Sequence, residues 1–235
     1  MNWAMKKRTA AVQPADARET VERLLDAAER LFGEHGYDGV GMRALAAEAK
    51  VNLGAATYHF GSKEALYIET FMRRFRPTNV ERLRLLHAAE TKAKGAPLTV
   101  ETIIDCMIRP PYQLGLTHPN FNTLLARSLF MPPSFLQAAL HRELEPNAKV
   151  FIAAFCRSLP SAPEDLIRLR VMFLMGALLM FSIAPHRIRE ASNQKHDESI
   201  LKELVRFGAA GLQSAPAVNP ADRSGFPHPF KPARA

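Results

Sequence analysis

The stretch Val-Asn-Leu-Gly-Ala-Ala-Thr-Tyr-His-Phe-Gly-Ser-Lys-Glu covers residues 51–64 and is the most specific pattern in the chain. It follows a helical pattern at 42–49 across a short turn. Two short helices joined by a tight turn are the outline of a helix-turn-helix, whose second helix enters the major groove of DNA. The closing Tyr-His-Phe-Gly-Ser-Lys-Glu is much rarer than a helix pair, and Ser62 within it can cap a further helix. The stretch therefore predicts a DNA-binding element.

The net charge of the chain is +8 and its pI is about 9.8, a balance that favours a polyanion such as DNA, RNA or an anionic membrane as partner. The charge does not single out the predicted DNA-binding element, because residues 19–76 contain 8 basic and 9 acidic side chains and are net −1. DNA binding must therefore depend on where individual cations lie. The candidates are Arg43, Lys50, Lys63, Arg73 and Arg74.

Periodic apolar residues predict an all-α fold, and neither an alternating strand pattern nor an Asn-Gly hairpin interrupts them. Prolines are expected to end or kink the fourth helix at Pro77 and to stop a later helix at Pro110-Pro111. The apolar run at 171–184 is too short to span a bilayer and predicts a buried helix. The expected segments are a disordered basic arm at 1–17, a helix-turn-helix domain at 18–76, a helical bundle at 77–213 and a disordered Pro-rich tail at 214–235.

Residue types around the helix-turn-helix fit the two kinds of contact that DNA recognition needs, namely positioning on phosphates and contact with base edges. Small residues would let the third helix approach the groove floor. Donors at the end of that helix, and a lysine at the free N–H groups of the next one, would bind phosphates, while Arg43 would reach the opposite backbone. The predicted DNA-binding residues are Arg43, Asn52, Leu53, Gly54, Ala55, Thr57, Tyr58, His59 and Lys63.

Residues 19–66 resemble the N-terminal domain of the TetR family of helix-turn-helix transcriptional regulators. The resemblance rests on the segments 25–32, 36–37, 42–46 and 51–66. It implies that the third helix contacts the major groove, that the Tyr-His-Phe and Ser-Lys region binds phosphate, and that the C-terminal helices dimerise and enclose an inducer pocket. Some members of the similar branch regulate fatty-acid degradation, which makes an acyl or fatty-acid-like inducer one candidate.

Three positions depart from the family pattern. Gly41 stands where a Thr or Ser cap is usual, and Lys50 replaces a common glycine in the turn, where it must adopt an unusual backbone angle. The order Thr57-Tyr58-His59 shifts the aromatic residue by one position.

The bundle at 77–213 is predicted to bind a ligand and to dimerise. The helices at 163–185 and 197–212 are so apolar that together they could form a four-helix interface in a two-fold dimer, which suits a palindromic operator. Arg127 lies between apolar neighbours and is expected to pair either with a carboxylate ligand or with Glu143 or Glu145. The candidate pocket residues, each of which could equally fill the core, are Phe121, Leu125, Arg127, Phe130, Met131, Phe173 and Met180.

These features favour a dimeric repressor that a small apolar or amphipathic inducer releases from a double-stranded DNA operator. Two alternatives are an all-helical enzyme and a non-specific DNA-packaging protein. The sequence contains no Gly-rich phosphate loop, Gly-x-Ser-x-Gly, metal-ligand spacing or Glu-x-x-His, so we expect no enzyme activity, cofactor or metal. With two widely spaced cysteines and no signal peptide, we expect a bacterial cytoplasmic protein that associates with the nucleoid when bound to DNA and not with a membrane.

Overall fold

The computed structural model describes residues 14–130, 133–184, 187–188, 190 and 197–215, and within them all regular structure is α-helical, as predicted. The arm residues 1–13 and the tail residues 216–235 lie outside the described residues. The helices discussed below are α1 (Pro14–His35), α2 (Met42–Glu48), α3 (Leu53–Phe60), α4 (Lys63–Ala93), α5 (Val100–Thr117), α6 (Pro119–Phe130), α7 (Ser134–Ser158), α8 (Glu164–Ile183) and α9 (Asp197–Gln213).

An N-terminal unit consists of α1, α2, α3 and the first turns of α4. Its helices are short, so most of their stability must come from packing an apolar face against neighbours. Leu24, Ala28 and Phe32 recur along α1 at intervals of four residues and are fully buried. Leu45 from α2 and Ala56 from α3 are also fully buried. One side of α3 therefore packs against this unit, and its other side faces solvent.

Caps and turns of the N-terminal unit follow the sequence prediction. The side-chain oxygen of Asn52 accepts a hydrogen bond from the backbone N–H of Ala55 at 2.6 Å, and the hydroxyl of Ser62 accepts one from Ala65 at 3.1 Å. Gly41 precedes α2 without a side-chain cap. Lys50 does adopt the unusual backbone angle expected in the turn, with a φ of 55°.

Three helices extend beyond the breaks or boundaries considered from the sequence. The fourth helix continues through Pro77 as part of α4, and α5 continues through Pro110-Pro111 to Thr117. An internal proline costs a helix about 3 kcal/mol. Here α4 and α5 pack along each other and bury large apolar side chains on both sides of the prolines, which outweighs that cost. The first helix begins at Pro14 and so includes the last residues of the predicted arm, because proline is well tolerated in a first helical turn.

The remaining helices form a C-terminal unit around α5, which contacts α4, α7, α8 and α9. Ile103, Ile104 and Ile108 of α5 are fully buried at its centre. The C-terminal unit is also continuous with the N-terminal unit through α6. Phe121 and Leu124 of α6 belong to the same buried cluster as Phe32 of α1, so the two units share one apolar contact region.

Helix α8 is buried on one side only within the single chain. Only Ile167, Leu174 and Leu178 of this helix are buried, whereas Phe173 is 66% exposed. It is also longer than the apolar run at 171–184. Among the described residues, α8 is the helix whose length and mean hydropathy of 2.0 would allow it to cross a membrane. Exposed apolar side chains grouped along one helix are typical of an interaction surface and not of a core helix.

A buried ion cluster fastens α1 to α4. Glu29 is only 4% exposed, and its carboxylate accepts hydrogen bonds from Arg73 at 2.7 Å and from Arg74 at 2.9 Å. Arg73 also contacts Asp26 at 2.8 Å. The hypothesis that Arg73 and Arg74 provide cations for DNA binding is therefore wrong, because the acidic side chains of α1 hold both of them.

We predict that Glu29→Gln lowers the free energy of unfolding by about 3 kcal/mol, because it leaves two guanidinium groups without their shared buried carboxylate. Urea denaturation at one fixed protein concentration measures this change. The control is Glu22→Gln, whose side chain is 67% exposed and contacts the same Arg73 at 3.5 Å. It should cost less than about 1 kcal/mol, and equal losses for the two variants would contradict the role of burial.

Candidate nucleic-acid interface

One side of α3 faces solvent and carries most of the predicted DNA-binding residues. The opposite side of α3 packs against α1 and α2, where Ala56 is fully buried and Phe60 is half-buried. Tyr58 is 85% exposed and Leu53 is 39% exposed. Large side chains exposed in this way are typical of a surface that binds another molecule. The other predicted residues of α3 and its cap divide into exposed Asn52, Gly54 and Thr57 and half-buried Ala55 and His59.

Several of these side chains also form local contacts that stabilise the helix-turn-helix itself. Asn52 caps α3, and a Cβ added at Gly54 would lie 3.2 Å from the Asn52 side-chain oxygen. Gly54 thus leaves room both for the cap and for close approach by a partner. The Thr57 hydroxyl donates to the carbonyl of Leu53 at 3.0 Å, so the group it presents outward is mainly its methyl. The rings of Tyr58 and His59 meet edge to face with centroids 5.3 Å apart.

Lys63 is held in place at the start of α4. Its Nζ donates to the backbone carbonyl of Tyr37 at 3.2 Å and lies 4.1 Å from the centre of the Tyr37 ring. A lysine ammonium has three donors, so donors remain for a phosphate beside the free N–H groups of the helix start. Tyr37 therefore positions the lysine. In the sequence, Tyr37 is notable only as part of the family pattern, and its contact with Lys63 could not be predicted.

Arg43 and Lys50 are the unengaged cations of the helix-turn-helix. Both side chains are exposed, and no ion pair joins either of them to another residue in the described part of the chain. Arg43 lies in the first turn of α2, and Lys50 lies in the turn that leads to α3. The exposed surface formed by these cations, Lys63 and the outer side of α3 is called the α3 surface below.

The described members of the predicted pocket do not come together at one site. Phe121 is buried among aromatic rings, with its ring centre 5.8 Å from Phe71 and 5.6 Å from Phe75, and Leu125 packs against the same cluster. Phe173 and Met180 are exposed on α8. The Phe130 side chain and all of Met131 lie outside the described residues. Sequence spacing could not exclude this grouping, because it carries no information on the distance between helices.

Arg127 pairs with neither Glu143 nor Glu145, the two acidic partners considered from the sequence. Its Nε donates to the carbonyl of Gly33 at 3.0 Å and its terminal nitrogen donates to the carbonyl of Glu34 at 2.9 Å. It thus caps the last turn of α1, whose carbonyl groups have no partner within the helix. The two acidic candidates pair elsewhere, Glu143 with Arg76 at 3.7 Å and Glu145 with Lys149 at 3.7 Å.

Two clefts in the described part of the molecule also lack the predicted pocket residues. One, of about 150 Å³, lies between α5, α6, α8 and α9 and is lined by residues such as Tyr112, Asn122 and Phe181. The other, of about 260 Å³, lies at the turn from α4 to α5 beside Glu90 and Pro97.

Comparison with known proteins relates both units of the chain to one family. The family model of bacterial regulatory proteins, tetR family, matches residues 24–70. The model of the tetracyclin repressor-like C-terminal domain matches residues 105–211. Together they cover more than half of the chain.

Individual relatives are described as regulators of transcription. The HTH-type transcriptional repressor AcnR of Corynebacterium efficiens is 38% identical over 56 residues, which are 24% of this chain and 28% of that protein. The repressor NicS of Pseudomonas putida is 28% identical over 122 residues, 52% of this chain and 54% of its own length. The chain thus aligns with about a quarter to a half of these relatives.

A solved structure supports the fold over a longer span. The fatty acid degradation regulator FadR from Bacillus halodurans superposes with a TM-score of 0.56 and 17% identity, covering 83% of this chain and 95% of that chain. At this identity the likeness establishes the fold alone.

Proposed function

The chain belongs to the TetR family of bacterial regulatory proteins, and we propose that it is a dimeric transcriptional repressor which a small apolar or amphipathic molecule releases from a palindromic DNA operator. The observation that carries this proposal is the α3 surface, where Tyr58 and Leu53 are exposed between unengaged cations. The relatives that match are described as repressors, which sets the enzyme alternative aside.

The α3 surface divides into two kinds of contact. Arg43, Tyr58, His59 and Lys63 bind phosphates on either side of the groove, since they supply cations and hydrogen-bond donors at the ends of the helix-turn-helix. The base edges then contact the short side chains that lie between these phosphate-binding residues. The exposed Leu53 and the Thr57 methyl suit thymine methyl groups, and the amide of Asn52 suits a base edge. The base-contacting residues are Asn52, Leu53, Gly54, Ala55 and Thr57.

Dimerisation uses the apolar surface of α8 and α9, which pack against each other. Phe173 of α8 is 66% exposed and Phe207 of α9 is 67% exposed, with Met172 and Met180 also uncovered. Two helices from each subunit form a four-helix interface. A two-fold axis through this interface presents two copies of α3, as a palindromic operator requires.

Release by an inducer operates through α6. This helix contributes Phe121 to the core shared with α1 and caps α1 through Arg127. A ligand that shifts α6 must therefore move α1, and with it the support on which α3 lies. An acyl or fatty-acid-like inducer suits the apolar interior of the C-terminal unit. This interior contains buried apolar side chains such as Ile103, Met107 and Phe155.

A gel-shift titration with the DNA upstream of the protein's own gene tests the proposal. A repressor gives a shift that survives an excess of unlabelled non-specific DNA at moderate salt. A packaging protein gives a shift that the competitor abolishes, and an enzyme gives none. Either of these two results would refute the proposed function.

We predict that Lys63→Ala weakens binding to all DNA sequences by a similar factor and lowers the slope of log K against log salt by about 0.9, because one phosphate contact is lost. Affinity measured at several salt concentrations checks both effects. The control is Lys92→Ala, an exposed lysine in the last turn of α4. If the two variants show the same salt slope as the original protein, Lys63 does not bind phosphate.

We predict that Phe173→Glu or Phe207→Glu converts the dimer to monomers at micromolar concentration, because each places charges inside an apolar two-fold interface. Sedimentation velocity measures the mass. Val80→Glu is the matched control, since Val80 of α4 is also 67% exposed but lies on another surface, and this variant should remain dimeric. Dimers in all three variants would place the interface elsewhere.

A further inference from the structure

Three buried polar side chains in the C-terminal unit lack hydrogen-bond partners that burial normally requires. Asn79 and Arg82 lie one turn apart on α4 and are 3% and 9% exposed, and Asn147 of α7 is 8% exposed. Within the described residues, Asn79 Nδ2, Arg82 Nε and Asn147 Oδ1 are buried and have no partner.

Among the described residues, no acidic side chain neutralises the cation in this group. Arg82 donates one hydrogen bond to Asn79 Oδ1 at 3.1 Å, and its guanidinium lies 5.1 Å from the centre of the Phe151 ring. No carboxylate of the described residues forms an ion pair with it. Burial lowers the pKa of Arg82 to about 10, so the group still carries its charge at neutral pH. Such a charge is costly unless it is paired.

The other buried charge cluster shows how this chain normally treats guanidinium groups. Arg73 and Arg74 share the buried carboxylate of Glu29. Arg82 is more buried than either of them and has only an amide and an aromatic ring. The missing element beside Arg82 is therefore an anion.

The geometry also indicates which donors such an anion would meet. Because Asn79 Oδ1 accepts from Arg82, the amide of Asn79 is fixed with its Nδ2 donor free. Two free N–H donors and a positive charge suit a carboxylate, which accepts up to four hydrogen bonds. The unpartnered Asn147 Oδ1 is itself an acceptor, so it offers a carboxylate no hydrogen bond.

We propose that Asn79 and Arg82 form the binding site for the carboxylate head group of the inducer, whose apolar part packs in the core beside Phe151. This inference rests on the proposed ligand-responsive function and names the ligand as an organic acid with an apolar body. Neither cleft is lined by these residues, so the ligand separates packed side chains as it enters. Met107 and Met175 in this core are adaptable enough to make room.

The first test is thermal unfolding of the full-length protein with decanoate, decanol or decylamine at equal ionic strength. Decanoate should raise Tm saturably, by about 5–10 °C at a concentration about 100-fold above its Kd, and the alcohol and the amine should not. The same decanoate concentrations should release a specific DNA fragment in the gel shift. Equal stabilisation by all three compounds, or by none, would overturn the carboxylate site.

The second test locates the site. Arg82→Met keeps an apolar stem and removes the charge, so it should abolish the decanoate shift while leaving the Tm of the unliganded protein equal or higher. Asn79→Leu removes the free amide donor and should reduce the shift independently, so a second residue tests the same location. Arg84→Met is the control, because Arg84 is exposed, pairs with Glu81 at 2.7 Å and should leave the shift unchanged.

The outcomes separate this inference from the proposed function. Operator binding with no Arg82-dependent response to decanoate overturns the head-group site and leaves the repressor intact. An Arg82-dependent shift in a protein that binds no specific DNA supports the site and refutes the repressor. A lower Tm for unliganded Arg82→Met would show that the cation is structural, and would overturn the inference.

Discussion

The carbonyl groups that end α1 must find hydrogen-bond donors from outside the helix, and Arg127 of α6 supplies them. Gly36 turns the chain there with a φ of 77°, so the helix cannot continue to satisfy them itself. Close backbone contact reinforces the bond, since a Cβ on Gly33 would lie 3.3 Å from the backbone nitrogen of Leu124. The position of α1 is thus set by α6. Because α2 and α3 pack on α1, the α3 surface is set by the C-terminal unit too.

Arginines among the described residues occupy several environments that a net charge does not distinguish. Arg73 and Arg74 are paired with Glu29, Arg127 binds backbone carbonyls, and Arg82 is buried without a carboxylate from the described residues. Arg43 is exposed and forms no ion pair in the described part of the chain, which explains how a segment of net −1 can still present a positive surface. Placement, and not the total, determines what the basic residues do.

Local features of the fold were predictable from the sequence and long-range ones were not. Asn52 and Ser62 cap their helices as expected because a cap depends only on residues three positions away. Pro77 was misjudged because the cost of an internal proline is small beside the packing of α4 on α5, which lies in another part of the sequence. The described members of the predicted pocket lie apart for the same reason, since their separation depends on how distant helices pack, and the position of Phe151 beside Arg82 depends on it too.

The hydropathy of α8 alone fits a membrane span, a core helix or a subunit interface, and its neighbours decide among them. Arg170, in the second turn of α8, donates hydrogen bonds to the carbonyls of Leu212 and Ser214 at the end of α9, at 3.0 and 2.9 Å. A guanidinium committed to the end of a neighbouring helix fixes α8 alongside α9 and leaves a charge that lipid would not accept. A core helix would not leave Phe173 exposed. What remains is an apolar surface built jointly by α8 and α9, and it is the surface through which we propose that two copies of the chain associate.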